Sequence, residues 1–233
     1  MGGLSTAIDA KTGARVLLLA AGLAASGCFF RPGPATVPMR ALEIPGGSPE
    51  SRCLVVFLPG RGDRPEHFVR NGFPEDLRRT GSRCATIGVD SHLGYSSERT
   101  VVGRLREDVI APARARGFEE IWLVGISLGG FGSLLYEKEH PGEIAGIVAI
   151  APFLGDEGAE FRPFQEWLAG YGRPAAGHPP LFLVYGTGDR FAGVNGELAA
   201  RLPDDHVFRV RGGHTWAAWR RGWDAFLASP WVP

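Results

Sequence analysis

The sequence has no excess of charge of either sign. Its 25 Lys and Arg residues balance its 25 Asp and Glu residues, which gives a formal net charge of zero. A nucleic-acid-binding protein needs a basic surface to neutralise phosphates, so this balance argues against that class of partner. The chain also lacks any His and Cys spacing that resembles a metal site, and we expect neither a metal nor another cofactor.

The N-terminal region lacks an apolar run long enough to cross a membrane. Residues 16–25 form an apolar stretch of ten residues, whereas a spanning helix needs about 20. Lys11 and Arg15 precede this stretch and Cys28 follows it after two small residues, so residues 1–27 are predicted to be a cleaved export signal.

The residues around Cys28 resemble the lipobox of bacterial lipoproteins, in which small residues precede a cysteine that receives diacylglycerol. The resemblance implies lipidation of Cys28 and a lipid anchor in the bacterial cell envelope. Ala25 stands where lipoboxes prefer leucine, and a plain secretory peptide cleaved near the same point is the alternative. In both cases the mature chain enters an oxidising compartment.

Cysteine is scarce, with three residues in 233. Apart from Cys28, Cys53 and Cys84 each follow a Ser-Arg pair at the start of a predicted strand. If those strands are neighbours, the two side chains lie side by side, and the compartment permits a disulfide. Paired positions on parallel strands are often poorly oriented for a bridge, so a Cys53–Cys84 disulfide and two buried thiols both remain open.

The length and the 44% hydrophobic content suit one globular domain. Residues 28–38, rich in Pro and Gly, are predicted to be a tether, and residues 39–233 the domain. Short apolar runs, which suit strands buried on both faces, alternate there with helix-like segments. The predicted strands are 53–58, 84–89, 121–126, 144–151, 181–185 and 206–210, and the predicted helices are 65–79, 97–115, 129–140, 194–202 and 215–227. This alternation predicts an α/β three-layer sandwich with a mostly parallel sheet.

The most informative motif is G-x-S-x-G at residues 125–129, directly after a predicted strand. In a nucleophile elbow the strand turns sharply into a helix, and glycines two before and two after the serine avoid a backbone collision. The helix is expected to begin near Leu128, so Ser127 lies at the positive end of its dipole. Because the chain contains 34 glycines, a chance match, with Ser127 an ordinary capping serine, is the alternative.

Polar residues at two later strand ends support the motif. Asp189 follows strand 181–185, and His214 follows strand 206–210. Reactive groups of open α/β sheets gather at the carboxyl ends of the strands, so Ser127, Asp189 and His214 are expected to meet there. Asp156, which follows strand 144–151, is a weaker candidate for the acid.

These features together resemble the α/β-hydrolase superfamily over roughly residues 40–230. The G-x-x-D turn at 186–189, the Gly213-His214 pair and the serine, acid, histidine order carry the resemblance. Residues 58–63 resemble its oxyanion loop, with Pro59 where histidine is common. The resemblance implies an α/β-hydrolase fold, and backbone N–H groups of Leu128 and Arg61 as an oxyanion hole.

The implied activity is cleavage of carboxylic esters through an acyl-enzyme, with a small-molecule ester or acyl substrate. Thioesterase, amidase or peptidase, and acyltransferase activities use the same residues, so they stay open as alternatives. A non-catalytic binding protein on the same scaffold is the alternative from a different class. The Arg61 side chain is read either as a solvated surface group or as a contact for an anionic substrate.

Residues 152–179 are predicted to form a small cap that sets specificity, because they hold several aromatic residues: Phe153, Phe161, Phe164, Trp167 and Tyr171. The same residues could equally bury a short helix on the core. Residues 90–92 and Tyr95 either line the pocket or form a capped turn. The remaining histidines are expected to be structural or exposed, and four aromatic residues of the last helix are expected in the core: Trp216, Trp219, Trp223 and Phe226.

Overall fold

The computed structural model describes residues 33–48, 50–156, 158–171 and 177–233. The predicted export signal and Cys28 lie outside these residues. Within them no helix has both the length and the apolar character that a membrane span requires. Residues Pro34–Pro233 form one compact unit. The tether boundary at residue 38 stays a prediction, but the Thr36 carbonyl already accepts a hydrogen bond from the domain, from Tyr95 Oη at 2.7 Å.

A seven-stranded sheet forms the centre of this unit, in the order β1-β3-β2-β4-β5-β6-β7. Only β1 is antiparallel to its neighbour, and every other pair is parallel. This arrangement confirms the predicted mostly parallel sheet. The strands are β1 Ala41–Ile44, β2 Cys53–Leu58, β3 Ala85–Val89, β4 Glu120–Ile126, β5 Gly146–Ile150, β6 Leu181–Gly186 and β7 Val207–Val210.

The apolar strands are buried on both faces, as their unbroken hydrophobic runs predict. In β2, Val56 and Leu58 join one core cluster, whereas Val55 and Phe57 join the other, and all four are 0% exposed. The alternation follows from the two-residue repeat of a strand. The sheet therefore separates two hydrophobic cores, each of which needs a layer of helices.

The helices supply those two layers, which confirms the three-layer sandwich. Residues of α1, α2 and α9 pack into one core, and residues of α4 to α8 pack into the other. The helices are α1 Pro65–Arg70, α2 Phe73–Arg79, α3 Leu93–Ser97, α4 Val101–Leu105, α5 Ala111–Ala115, α6 Leu128–Glu139, α7 Arg162–Leu168, α8 Ala192–Ala199 and α9 Trp216–Leu227. A π-helical turn, Arg106–Ile110, joins α4 to α5, and a short 3-10 turn, Asp204–His206, precedes β7.

The structure differs from the sequence prediction at one strand and two helices. The edge strand β1 was missed, because only one of its four residues is buried and it carries no apolar run. The single helix predicted over 65–79 is two helices, since Gly72 adopts a left-handed φ of 77° between them. The helix predicted over 97–115 begins at Val101, and Leu93–Ser97 forms a separate short helix.

Cys53 and Cys84 form a disulfide in the structure. Cys53 begins β2, and Cys84 directly precedes β3, the parallel neighbour in which Ala85 pairs with Leu54. This register brings the two Cα atoms within 4.6 Å of each other. Of the two possibilities that the sequence left open, the structure has the bridge.

The cap segment packs against the core through α7, whose Phe164 and Leu168 are buried. At the far end of the segment, the His178 ring stacks on Tyr171 with 4.6 Å between centroids. His178 Nδ1 lies 3.5 Å from a carboxylate oxygen of Glu137, a residue of α6 whose side chain is 0% exposed. Burial raises the pKa of Glu137 above its ordinary value. This contact between a partly buried histidine and a buried carboxylate connects the end of the cap segment to α6.

Candidate active site

Ser127 lies at the junction between β4 and α6. Its backbone has φ 53° and ψ −111°, in the region of positive φ that residues other than glycine rarely adopt. Such conformations persist only where the surrounding structure imposes them. The junction therefore has the strained strand-to-helix turn expected of a nucleophile elbow.

The two motif glycines have no space for a side chain. A Cβ at Gly125 would lie 2.3 Å from the carbonyl oxygen of Gly129, and a Cβ at Gly129 would lie 2.1 Å from that of Leu58. Both distances are far below van der Waals contact, so the turn requires glycine on either side of Ser127. This is the backbone collision that the motif predicts.

Ser127, His214 and Asp189 form a continuous hydrogen-bond chain. His214 Nε2 lies 2.9 Å from Ser127 Oγ. His214 Nδ1 lies 2.8 Å from Asp189 Oδ2 and 3.1 Å from Oδ1. The Asp189 side chain is fully buried, and its Oδ1 also accepts the Phe191 N–H at 2.9 Å. Residues far apart in the sequence thus meet with the geometry of a nucleophile, a base and an orienting acid.

Asp156, the alternative acid, does not reach the histidine in this arrangement. Its carboxylate is exposed and accepts the N–H of Gly158 at 2.8 Å, which closes a local turn. The imidazole Nδ1 faces Asp189 instead. The structure therefore brings Asp189, and not Asp156, to His214.

The predicted oxyanion loop lies beside the serine. Gly60 packs so closely that a Cβ there would lie 3.4 Å from Ser127 Cβ. Arg61 and Leu128 both line the cleft above Ser127. Within the described residues, neither backbone N–H donates a hydrogen bond to another protein group. Two residues of the cleft wall therefore have backbone N–H groups without a protein acceptor in the described part of the chain.

Asp63 connects this loop to the helix that follows the histidine. Its Oδ1 accepts the indole N–H of Trp216 at 3.2 Å and lies 2.8 Å from Nδ1 of His67. Trp216 begins α9, two residues after His214. The carboxylate of Asp63 thus connects the Arg61 loop to the segment that carries His214.

The cleft above Ser127 has a volume of about 410 Å³. Apolar side chains form most of its wall, namely Leu93, Leu128, Phe153 and Phe191, and two arginines, Arg61 and Arg190, complete it. The Phe191 ring meets the His214 ring edge-on with 5.1 Å between centroids. Sequence reasoning did not assign Leu93, Arg190 and Phe191, although two of them directly follow Asp189 in its motif.

Only part of the aromatic cap segment reaches the cleft. Phe153 lines it, and Phe131 and Phe161 pack behind Phe153 with centroids at 5.8 and 5.4 Å. Phe164 is buried behind Phe131. Trp167 and Tyr171 pack against each other farther along the segment. The predicted specificity role is thus reduced to Phe153 and the rings that support it.

The other candidate residues lie outside the cleft. Tyr95 does not line it, because its ring is 0% exposed and its hydroxyl bonds to Thr36. His92 caps α3 by accepting the N–H of Gly94, so residues 90–92 form the capped turn that was one of the two predicted alternatives. His140 packs against Tyr136 at the end of α6. Within the described residues, no group of three or more His, Cys, Asp and Glu side chains is arranged to hold a metal.

The last helix packs as its aromatic pattern predicts. Trp219, Trp223 and Phe226 are at most 5% exposed and lie in one core. Trp216 is only partly buried, because its indole turns toward Asp63.

The chain matches no protein-family model and no curated protein at a significant level. It is similar in structure to a protein described as a predicted CIB-like hydrolase from Thermoplasma acidophilum, with TM-score 0.61 and 15% identity over 84% of this chain and 93% of that one. For esterase PE8 the TM-score is 0.60 and the identity 19%, over 82% and 97% of the two chains. For a Paleococcus ferrophilus monoacylglycerol lipase the TM-score is 0.54 and the identity 16%, over 81% of this chain and 98% of that one. These likenesses show that the chain has the α/β-hydrolase fold.

Proposed function

We propose that the protein is a serine hydrolase that cleaves carboxylic esters through an acyl-enzyme. The observation that carries this proposal is the hydrogen-bond chain from Asp189 through His214 to Ser127, with 2.8 and 2.9 Å between the bonded atoms. The cleft directly above Ser127 supports it, because a substrate needs space beside the nucleophile.

In the first step Ser127 Oγ attacks the ester carbonyl carbon, and His214 Nε2 takes the hydroxyl proton. Asp189 keeps the proton on Nδ1 and stabilises the imidazolium that forms. The imidazolium then protonates the departing alcohol, which leaves Ser127 acylated. Water attacks the acyl-enzyme in the second step, again with His214 as the base, and the acid and free serine are released.

The tetrahedral intermediate carries a negative oxygen, for which the Leu128 and Arg61 N–H groups are the proposed donors. Leu128 is the first residue of α6, so the helix dipole adds a partial positive charge at the same point. Loss of one such donor typically lowers the rate by about 10²–10³-fold. The backbone of Arg61 is therefore assigned to the chemical step, separately from its side chain.

Carboxylic esters are proposed over other acyl substrates because several structurally similar proteins are described as an esterase or a lipase. A thioester, an amide or an acyl-transfer reaction would pass through the same acyl-enzyme. A binding protein without catalysis would have no need for the complete hydrogen-bond chain at Ser127.

A fluorophosphonate probe tests the proposal, because it reacts only with an activated serine. We expect labelling of the wild type, no labelling of Ser127→Ala and strongly slowed labelling of His214→Ala. His140→Ala is the matched control, since that histidine lies at the opposite end of α6 from Ser127. Absence of labelling in a wild type with a cooperative thermal transition would contradict the proposal. A series of p-nitrophenyl esters of increasing chain length then measures the depth of the cleft.

We also propose that the chain is exported and anchored through a lipid on Cys28. The Cys53–Cys84 bridge supports export, because disulfides persist in oxidising compartments. Replacement of Cys28 by Ala is expected to move the protein from the membrane fraction to the soluble fraction of the cell envelope. Unchanged partitioning of the Cys28→Ala variant would rule out lipidation as the anchor.

A further inference from the structure

Among the residues that the structure describes, the wall of the cleft carries two positive charges and no carboxylate. Arg61 and Arg190 line it together with four apolar residues. The carboxylate nearest to the chemistry, Asp189, is fully buried and bonded to His214, so it does not neutralise the wall. Because the whole chain has a formal net charge of zero, the positive cleft is a local feature and not part of a general basic excess.

The two cleft arginines form no ion pair in the part of the chain that the structure describes. Within the described residues, Arg61 and Arg190 have no carboxylate within the 4.0 Å of an ion pair. Other arginines are paired: Arg106 lies 2.8 Å from Glu143, and Arg220 lies 2.9 Å from Asp76. The two cleft arginines are thus free to bind an anion from solution.

Arg190 is also held in place. Its guanidinium lies over the Phe191 ring, 4.8 Å from the centroid, and the same ring packs edge-on against His214. A cation–π contact of this kind restrains the side chain while leaving its N–H donors unpaired. The charge is therefore one aromatic ring away from the catalytic imidazole. Arg61 follows the same end of the parallel sheet but lies on the other side of β4, after β2, on the loop whose N–H is the proposed oxyanion donor.

We propose that the cleft selects esters that carry a carboxylate group, with Arg61 and Arg190 binding that group. This inference rests on the proposed ester hydrolysis. A planar guanidinium donates two parallel hydrogen bonds to a carboxylate. The four apolar side chains bind the hydrocarbon part of the substrate. The preferred substrate is therefore a short aliphatic or aromatic ester that also carries one carboxylate group. Hydrolysis of such an ester releases a dicarboxylic acid or a hydroxy acid.

Two matched pairs of esters test the proposal. The first pair carries the carboxylate or amide on the alcohol side of the scissile bond, and the second pair carries it on the acyl side. The first pair is 4-carboxyphenyl butyrate and 4-carbamoylphenyl butyrate, and the second is monoethyl adipate and ethyl 5-carbamoylpentanoate. Each kcat/KM is divided by the rate of alkaline hydrolysis of the same ester. We expect the wild type to prefer the carboxylate member of at least one pair by about tenfold or more, and the preference to fall as salt is added.

Variants assign the preference to the two arginines. Arg61→Gln and Arg190→Gln are each expected to reduce the carboxylate-to-amide ratio about fivefold, and Arg190→Glu to bring it below one. Arg70→Gln, at an exposed arginine outside the cleft, is the control and should keep the wild-type ratio. A wild-type ratio near one in both pairs, or a ratio that the cleft variants leave unchanged, would overturn the proposal.

Labelling of Ser127 by the fluorophosphonate separates this outcome from failure of the proposed function. If the serine is labelled, adipate and 4-hydroxybenzoate should slow the labelling, whereas their amides should not. Equal protection by acids and amides overturns the carboxylate preference even if none of the four esters is turned over. No labelling and no hydrolysis of any ester would instead refute the serine hydrolase itself.

Discussion

Removal of the Asp63 carboxylate is expected to slow catalysis without unfolding the protein. Asp63 Oδ1 accepts the indole N–H of Trp216 at 3.2 Å and faces Nδ1 of His67 at 2.8 Å, so the Asp63→Ala variant loses both links. A hydrogen bond to a charged group contributes about 1.5–3 kcal/mol, and 1.4 kcal/mol corresponds to about tenfold in rate. We therefore expect kcat to fall by about 10- to 100-fold, below the 10²–10³-fold that complete loss of an oxyanion donor costs.

The assay has to distinguish a misplaced loop from a weakened fold. Hydrolysis of a p-nitrophenyl ester gives kcat and KM separately, and the thermal transition gives stability. In the proposed mechanism the Arg61 N–H binds the oxyanion and not the bound ester, so the loss should appear in kcat with little change in KM. Asp156→Ala is the control, since this exposed aspartate closes only its own turn. That control also tests Asp156 as the alternative acid.

A double-mutant cycle with Trp216→Phe tests the connection directly. If Asp63 acts through Trp216, the two losses should be strongly non-additive, because each substitution breaks the same hydrogen bond. Additive losses, an unchanged kcat in a fully folded Asp63→Ala variant, or an effect confined to KM would refute this role of Asp63.

Three further predictions concern the fold that supports the site. Replacing both Cys53 and Cys84 by Ala opens a loop with a sequence separation of 31, which should cost about 3–4 kcal/mol and lower Tm by roughly 10 °C in calorimetry, with Ser127 labelling retained. Burial raises the pKa of Glu137 in the folded state. At a pH above that raised pKa the carboxylate is ionised and destabilises the fold, whereas at a pH below the pKa of the unfolded chain it is protonated in both states and has no such effect. Glu137→Gln should thus raise Tm by about 2–4 °C at pH 8 and leave it unchanged near pH 4. Gly129→Ala should lower stability by about 1–3 kcal/mol and slow labelling, whereas Gly132→Ala, whose Cβ meets only ordinary contacts at 3.7 Å, should do neither.

The buried strands were predictable from the sequence because their physical cause is local. Apolar runs gave β2 to β6 within about two residues of their observed ends, since a strand covered on both faces needs an unbroken hydrophobic segment. The run at 206–210 also gave β7, although this edge strand has no fully buried residue. Strand β1 has one covered face and no neighbour on its outer edge, so its sequence lacks that pattern. The break at Gly72 depends on how α1 and α2 each pack against the core, which helical periodicity alone does not specify.

The residues of the site also fall into those that the sequence predicts and those that it does not. The motifs at Ser127, Asp189 and His214 are short and depend on backbone geometry, so they could be read from the sequence. The neighbours in space could not. Leu93 enters the cleft from a helix that the sequence did not predict, and the link between Asp63 and Trp216 joins residues 153 positions apart.

By itself, the sequence determined the order of strands β2 to β7 with helical segments between them, the turn that requires glycine on both sides of Ser127, and the candidate residues for base and acid. These properties depend on hydrophobic periodicity and local backbone sterics. Only the tertiary structure decided that Asp189 and not Asp156 faces His214, that Cys53 bonds to Cys84, and that Arg61 and Arg190 share one cleft. Each of those outcomes depends on which strand ends become neighbours in the sheet, and strand order is fixed by packing across the whole domain.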